Sequence, residues 1–254
     1  MSFRRLEFLI AGMQKAGTSA LFRFLADHPG IFLPKSKELH FFDAEFRNWD
    51  AMTYAWLHHH FGNRAKGQIS GEGTPIYTYW PTAAARIHAY NPDIKLIILL
   101  RHPIERAYSH WRMERGRGEE PLAFADAIRA GRRRVGMSGE MPGVHRKYSY
   151  VDRGLYAAQI ERMLALFPLE QMLFLRTEDL LQSHEATLAR VCDFLGVPHF
   201  DNAPAARRID PVKILPEAPM AQTDRDHLMD IYYADIVRTA ALTGLDLSEW
   251  LRLA

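Results

Sequence analysis

The stretch Gly12-Met13-Gln14-Lys15-Ala16-Gly17-Thr18-Ser19 spaces two glycines as G-x-x-x-x-G, encloses a lysine and ends on two hydroxyl side chains. In a turn of this kind successive backbone N–H groups converge on an anion, and the start of a helix adds the positive end of its dipole. Loops of this spacing that clamp a nucleotide through Mg²⁺ carry lysine directly after the second glycine and a hydroxyl next to it. Here Thr18 takes the lysine position and Lys15 lies inside the loop; the central apolar run ends in Leu100-Arg101, not in an aspartate that would complete a magnesium site. The loop reads as an anion cradle without a metal, made by Lys15, the Ala16 and Gly17 backbone, Thr18 and Ser19. Arg101 with Ser109, two helical turns later, is the donor set for a second, fixed phosphate. Glu38, His40 and Asp43 are candidates for proton transfer. By residue type alone His40 is the better base, because an unperturbed histidine titrates near neutral pH, whereas a glutamate needs burial to raise its pKa.

Elements must hold these groups in place. Leu6–Ala11 is a short apolar run ending at glycine, a buried strand entering a turn. Residues Thr18–His28 follow with helical spacing, placing Leu21, Phe22, Leu25 and Ala26 on one face before Pro29-Gly30. Lys95–Leu100 and Gln171–Leu175 read as further buried strands and Gly67–Ser70 as a weaker one. Helical patterns cover Pro81–Tyr90, Ile104–Arg115, Leu122–Ala130, Leu155–Phe167 and His184–Leu195. From about Pro219 to 243 the pattern is one long amphipathic helix. Continuous apolar strands separated by helices predict an α/β fold of P-loop type, a central parallel sheet with helices on both faces. The chain is read as a single domain over residues 1–254, and Gly131–Gly143, rich in Arg and Gly, as a mobile surface loop.

The bulk numbers narrow the function classes. Of 254 residues, 48% are hydrophobic and 24% charged, and the net charge is only +2, so nucleic acid is not an expected partner. No run approaches the roughly 18 apolar residues of a membrane span, and the apolar start is too short for a signal peptide. The single cysteine, Cys192, permits no intrachain disulfide, so a reducing, cytoplasmic setting is expected. His58-His59-His60 is not read as a metal site, because consecutive helical residues diverge by about 100°. Trp49, Trp56, Tyr77, Tyr79 and Trp80 are candidates to line an acceptor cleft, with core packing the expected role of most of them. Nothing in the sequence speaks to oligomeric state.

Three stretches together resemble the sulfotransferases that use 3′-phosphoadenosine 5′-phosphosulfate (PAPS), in the branch of the heparan sulfate N- and 3-O-sulfotransferases and their bacterial relatives. They are Gln14–Ser19, Lys37-Glu38-Leu39-His40-Phe41-Phe42-Asp43, and Leu100-Arg101-His102-Pro103 through Ser109-His110. Thr74-Pro75-Ile76-Tyr77, Arg153-Gly154-Leu155-Tyr156 and Glu178-Asp179-Leu180 add to the match, in family order. The resemblance implies a transferase moving a sulfonate group from PAPS to an acceptor hydroxyl, of a glycan or another small molecule. It places Lys15, Ala16, Gly17, Thr18 and Ser19 on the 5′-phosphosulfate and Arg101 and Ser109 on the 3′-phosphate. It makes Glu38 the first candidate for general base, with His40 assisting and Lys15 stabilising the leaving oxygen. It also marks Lys37, Asp43, Thr74, Tyr77, Arg153 and Tyr156 as acceptor-side residues. The lumenal anchor, C-terminal cysteine pair and late Lys-Gly-Arg contact of the heparan enzymes find no match in these 254 residues, so they are not expected here; Arg207, Arg208 or Lys213 are candidates to replace that contact. A metal-dependent kinase or NTPase and a non-catalytic nucleotide-binding protein are the competing readings.

Overall fold

The computed structural model describes residues 4–49, 54–137, 142–206 and 219–252. Five strands, β1 (Phe8–Gly12), β2 (Ile31–Phe32), β3 (Ile69–Glu72), β4 (Lys95–Leu100) and β5 (Met172–Arg176), form one sheet in the order β2-β3-β1-β4-β5. Every pairing is parallel. The two central strands read FLIAG and KLIILL and are buried almost end to end, the pattern of a parallel sheet covered on both faces. The α/β architecture is therefore as expected, with β4 at its predicted bounds.

The described residues fall into two compact units, one within 1–100 and 162–209, the other within 101–161 and 210–254. The first holds the sheet, α1 (Thr18–Ala26), α2 (Ala55–His59), α3 (Ala83–Tyr90), and two later helices, Thr177–Gln182 and His184–Leu195. The second contains α4 (Pro103–Gly116), α5 (Phe124–Met137), α6 (Pro142–Tyr148) and the start of α7 (Tyr156–Leu164). The later helices of the first unit are α8 and α9 in chain order, and α10 (Gln222–Thr243) closes the second unit. Along α10, Leu228, Met229, Tyr232 and Ile236 are buried at the three- and four-residue spacing of one helical face. Asp235 of α10 accepts the Tyr156 amide at 2.7 Å and the Ala157 amide at 3.2 Å, capping α7 from a distant part of the chain.

Two expectations change. The Arg/Gly segment is not a loop through its length: α5 runs to Met137, and 138–141 lie outside the described residues. Arginine favours helix, and here Arg134 pairs with the buried Glu120 while lying 3.8 Å over the Tyr148 ring. In α1, Ala26 is exposed and Phe24 is buried instead, because the sheet and α9 cover more of the helix than one stripe; Phe24 meets the His184 ring edge-on at 4.6 Å. β2, two residues long, is a further strand too short for any periodicity to declare.

Candidate active site

β1 delivers the chain into the loop at Gly12, where a Cβ would stand 2.7 Å from the Thr78 hydroxyl, so only glycine fits. The Met13 amide still donates to Leu99 at 2.8 Å, and the Ala16 amide turns back to Met13 at 3.1 Å. Lys15 sits at φ +70° and Gly17 at φ +90°, both left-handed; this costs glycine little and lysine about 1–2 kcal/mol. Gly17 is the N-cap of α1 and no side chain caps it. Thr18 and Ser19 are the first two helical residues. Helix geometry leaves their amides without intrahelical carbonyls, open to an anion. Thr177, at the start of α8, fixes this loop: its hydroxyl lies 2.7 Å from the Ala16 carbonyl and 3.0 Å from that of Leu100.

The second group is a tight turn after β2. Glu38 has φ +62° and His40 φ +51°. Four consecutive amides are pinned to residues 72–77. Glu38 N–H donates to Gly73 O at 3.2 Å, Leu39 N–H to Glu72 Oε1 at 2.9 Å, His40 N–H to Thr74 Oγ1 at 3.3 Å and Phe41 N–H to the Tyr77 hydroxyl at 3.1 Å. The Thr74 hydroxyl in turn donates to Glu72. Thr74 and Tyr77, marked by resemblance as acceptor-side residues, are fully buried in this lattice.

The side chains form a charge relay in space. Lys37 Nζ lies 2.6 Å from Glu38 Oε1, His40 Nε2 is 3.6 Å from Glu38 Oε2, and His40 Nδ1 is 2.9 Å from Oδ2 of the fully buried Asp43. Burial opposes the charge on Glu38, but the His40 and Lys37 contacts prevail and hold it down to about 2. Burial likewise opposes the imidazolium, yet Asp43 and Glu38 raise His40 to about 9. At neutral pH the turn therefore presents a carboxylate and a cation. His40 carries its proton at neutral pH, while Glu38 has lost its own. Glu72, with no exposed surface, is pushed up by burial to about 7 despite bonds from Thr74 and Leu39.

In the second unit, Arg101 follows β4 directly and is half-buried, its carbonyl held at 2.8 Å by the Tyr156 hydroxyl. His102 caps α4, its ring accepting the Ile104 amide at 3.3 Å, and Ser109 is half-buried on the same helix. Arg153 is buried, its guanidinium donating to the His145 carbonyl at 3.0 Å. Tyr156 is fully buried too. Arg207, Arg208 and Lys213 lie outside the described residues. Of the core aromatics, Tyr77 and Trp80 are buried while Trp56 is 44% exposed. His58 rests on the Tyr90 hydroxyl at 3.0 Å and His60 against the Trp56 ring. No helix among the described residues is long and apolar enough to cross a membrane. Sequence reasoning missed Glu72, Thr177 and Asp235; the first precedes Gly73-Thr74-Pro75 and the second follows a strand end, each visible only as a polar residue beside a motif, while Asp235 lies inside α10 with no motif beside it.

Comparison with known proteins shows the family of the chain. The model of the Sulfotransferase domain matches residues 6–213. Mouse heparan sulfate glucosamine 3-O-sulfotransferase 3B1 is 35% identical over 189 residues, 74% of this chain and 45% of that protein. Human bifunctional heparan sulfate N-deacetylase/N-sulfotransferase 3 is 31% identical over 208 residues, 78% of this chain and 23% of that protein. The chain thus spans less than half the length of these two relatives. The crystal structure of a sulfotransferase from Alicyclobacillus acidocaldarius superposes with a TM-score of 0.81 at 29% identity, covering 98% of this chain and all of that one. With the domain model spanning most of its length, and a mouse relative above 30% identity over three quarters of it, this chain belongs to the sulfotransferase family.

Proposed function

We propose that the chain transfers a sulfonate group from PAPS to a hydroxyl of a carbohydrate acceptor, with Glu38 as general base. One observation carries the assignment of residues. Among the described residues the non-glycine positions with positive φ are Lys15, Glu38 and His40. Such conformations cost free energy and gather at sites where geometry is part of the chemistry. They coincide with the residues that the family resemblance marks for catalysis.

The loop amides and Lys15 suit the 5′-phosphosulfate, and Arg101 with Ser109 suits the 3′-phosphate. In the reaction the acceptor oxygen bonds to sulfur, the sulfur–oxygen bond to the phosphate breaks, and its electron pair leaves on the phosphate oxygen. Lys15 neutralises that oxygen. Glu38 takes the acceptor proton. Because its carboxylate is held low, it does so only as the new oxygen–sulfur bond forms and acidifies the hydroxyl. His40, fixed through Nδ1 to Asp43, orients Glu38. The relatives named for heparan sulfate support a sugar acceptor.

The test is a thermal shift with the product nucleotide 3′-phosphoadenosine 5′-phosphate (PAP), followed by transfer of labelled sulfonate to a panel of saccharides. PAP raises the melting temperature without Mg²⁺, and Arg101→Ala removes most of that rise. Absence of stabilisation by PAP, or a requirement for Mg²⁺ and ATP, sinks the proposal.

A further inference from the structure

We infer that Glu72 is a positioning residue of the reaction centre: its buried carboxylate, by holding the Leu39 amide and the Thr74 hydroxyl, locks Glu38 and His40 in the left-handed turn that aims them at the acceptor. This rests on the transfer reaction proposed above.

A turn with two left-handed non-glycine residues relaxes unless its surroundings over-determine it. The amides of residues 38–41 have four acceptors, and Glu72 controls two of them. It accepts from Leu39, in the middle of the turn, at 2.9 Å. It also accepts from the Thr74 hydroxyl, which orients Thr74 Oγ1 so that a lone pair faces the His40 amide at 3.3 Å. Glu72 ends β3 and pairs in register with Leu9 of β1, so the anchor point is an interior strand of the sheet. The groups that face its carboxylate are Thr74, the Leu39 amide, Tyr77 and His40, with Asp43 beyond Tyr77. No lysine or arginine pairs with it among the described residues, which is unusual for a fully buried acid. A carboxylate serving packing alone is better replaced by an apolar side chain; one that organises a strained turn is not.

The experiment compares wild type with Glu72→Ala, Glu72→Gln and Thr74→Val, measuring kcat, the KM for PAPS, the PAP-induced thermal shift and the His40 titration. The last is read from its ring C2 proton in NMR, assigned against His40→Gln. In Glu72→Ala we expect kcat to fall about 100-fold, the loss associated with misplacement near 1 Å, with KM for PAPS within about twofold and the PAP shift retained. The His40 midpoint falls from about 9 towards its ordinary value as contact with Glu38 and Asp43 loosens. Glu72→Gln keeps an oxygen acceptor for both donors and recovers kcat to within about tenfold of wild type. If Glu72→Ala does not fold, the near-isosteric Thr74→Val carries the test, with about a tenfold loss of kcat and a lower His40 midpoint. Wild-type kcat, or an unmoved His40 midpoint, in the folded variants overturns the inference. So does a parallel fall of kcat and PAP stabilisation, which marks general damage. Failure of wild type to turn over any acceptor defeats the proposed function instead, and the His40 titration still decides the role of Glu72.

Discussion

Replacing Glu72 by glutamine changes how the stability of the fold depends on pH, by an amount set by burial. The carboxyl titrates at about 7 in the folded chain against 4.5 for the free side chain. Between those values the folded state binds the proton more tightly than the unfolded one. Its contribution is therefore complete below about pH 4.5, declines as pH rises, and is fully lost above about pH 7. A displacement of this size corresponds to about 3 kcal/mol in total, of which about 2.5 kcal/mol falls between pH 5 and pH 9. Glutamine does not titrate, and the cost of burying its amide is the same at every pH. The difference in unfolding free energy, Glu72→Gln minus wild type, should thus rise by about 2.5 kcal/mol across that window. Urea denaturation at fixed ionic strength, without nucleotide, measures it; with a slope of about 2.5 kcal/mol/M the midpoints separate by about a further 1 M. Profiles that stay parallel from pH 5 to pH 9 would refute the reasoning, because they would mean that the carboxyl meets water or a counter-charge in the folded chain.

Two further outcomes follow from single positions. Gly17→Ala places a Cβ on a residue at φ +90°, which should destabilise the fold by about 1–2 kcal/mol in equilibrium unfolding and shrink the PAP-induced thermal shift; an unchanged shift would separate this glycine from the anion cradle. Tyr156→Phe removes the donor to the part-buried Arg101 carbonyl, at a cost of about 0.5–1.5 kcal/mol for the lost hydrogen bond, and weakens PAP binding measured by calorimetry, with full PAP affinity counting against a role for Tyr156 in setting Arg101.

Much of the frame was legible because its signals are local. The run KLIILL gives β4 at both ends, and His184–Leu195 carries its own stop at Gly196, which adopts φ +76°. The anion loop was legible because glycines and lysine fall within eight residues. The protonation pattern was not. Residue type favours His40 as base, but what decides its charge is Asp43 on one ring nitrogen and Glu38 near the other, a relation among three side chains that spacing alone does not encode. The partners of the turn lie over thirty residues away on β3 and just beyond it, which is why Glu72 passed as an ordinary acid beside a Thr-Pro pair. The same holds for α5, whose Arg134 looks like solvent-facing charge until Glu120 and Tyr148 are brought against it.

Tyr156 works as a spacer of fixed length: its hydroxyl meets the Arg101 peptide and its amide meets Asp235. The last helix is in this way indexed to the peptide that follows β4. Each residue added ahead of Asp235 would swing that carboxylate by about 100° around the helix axis, off the two amides it serves, whereas lengthening beyond Thr243 leaves the index untouched. The C-terminal helix is thus tolerant of extension at its far end and intolerant of insertion before its midpoint.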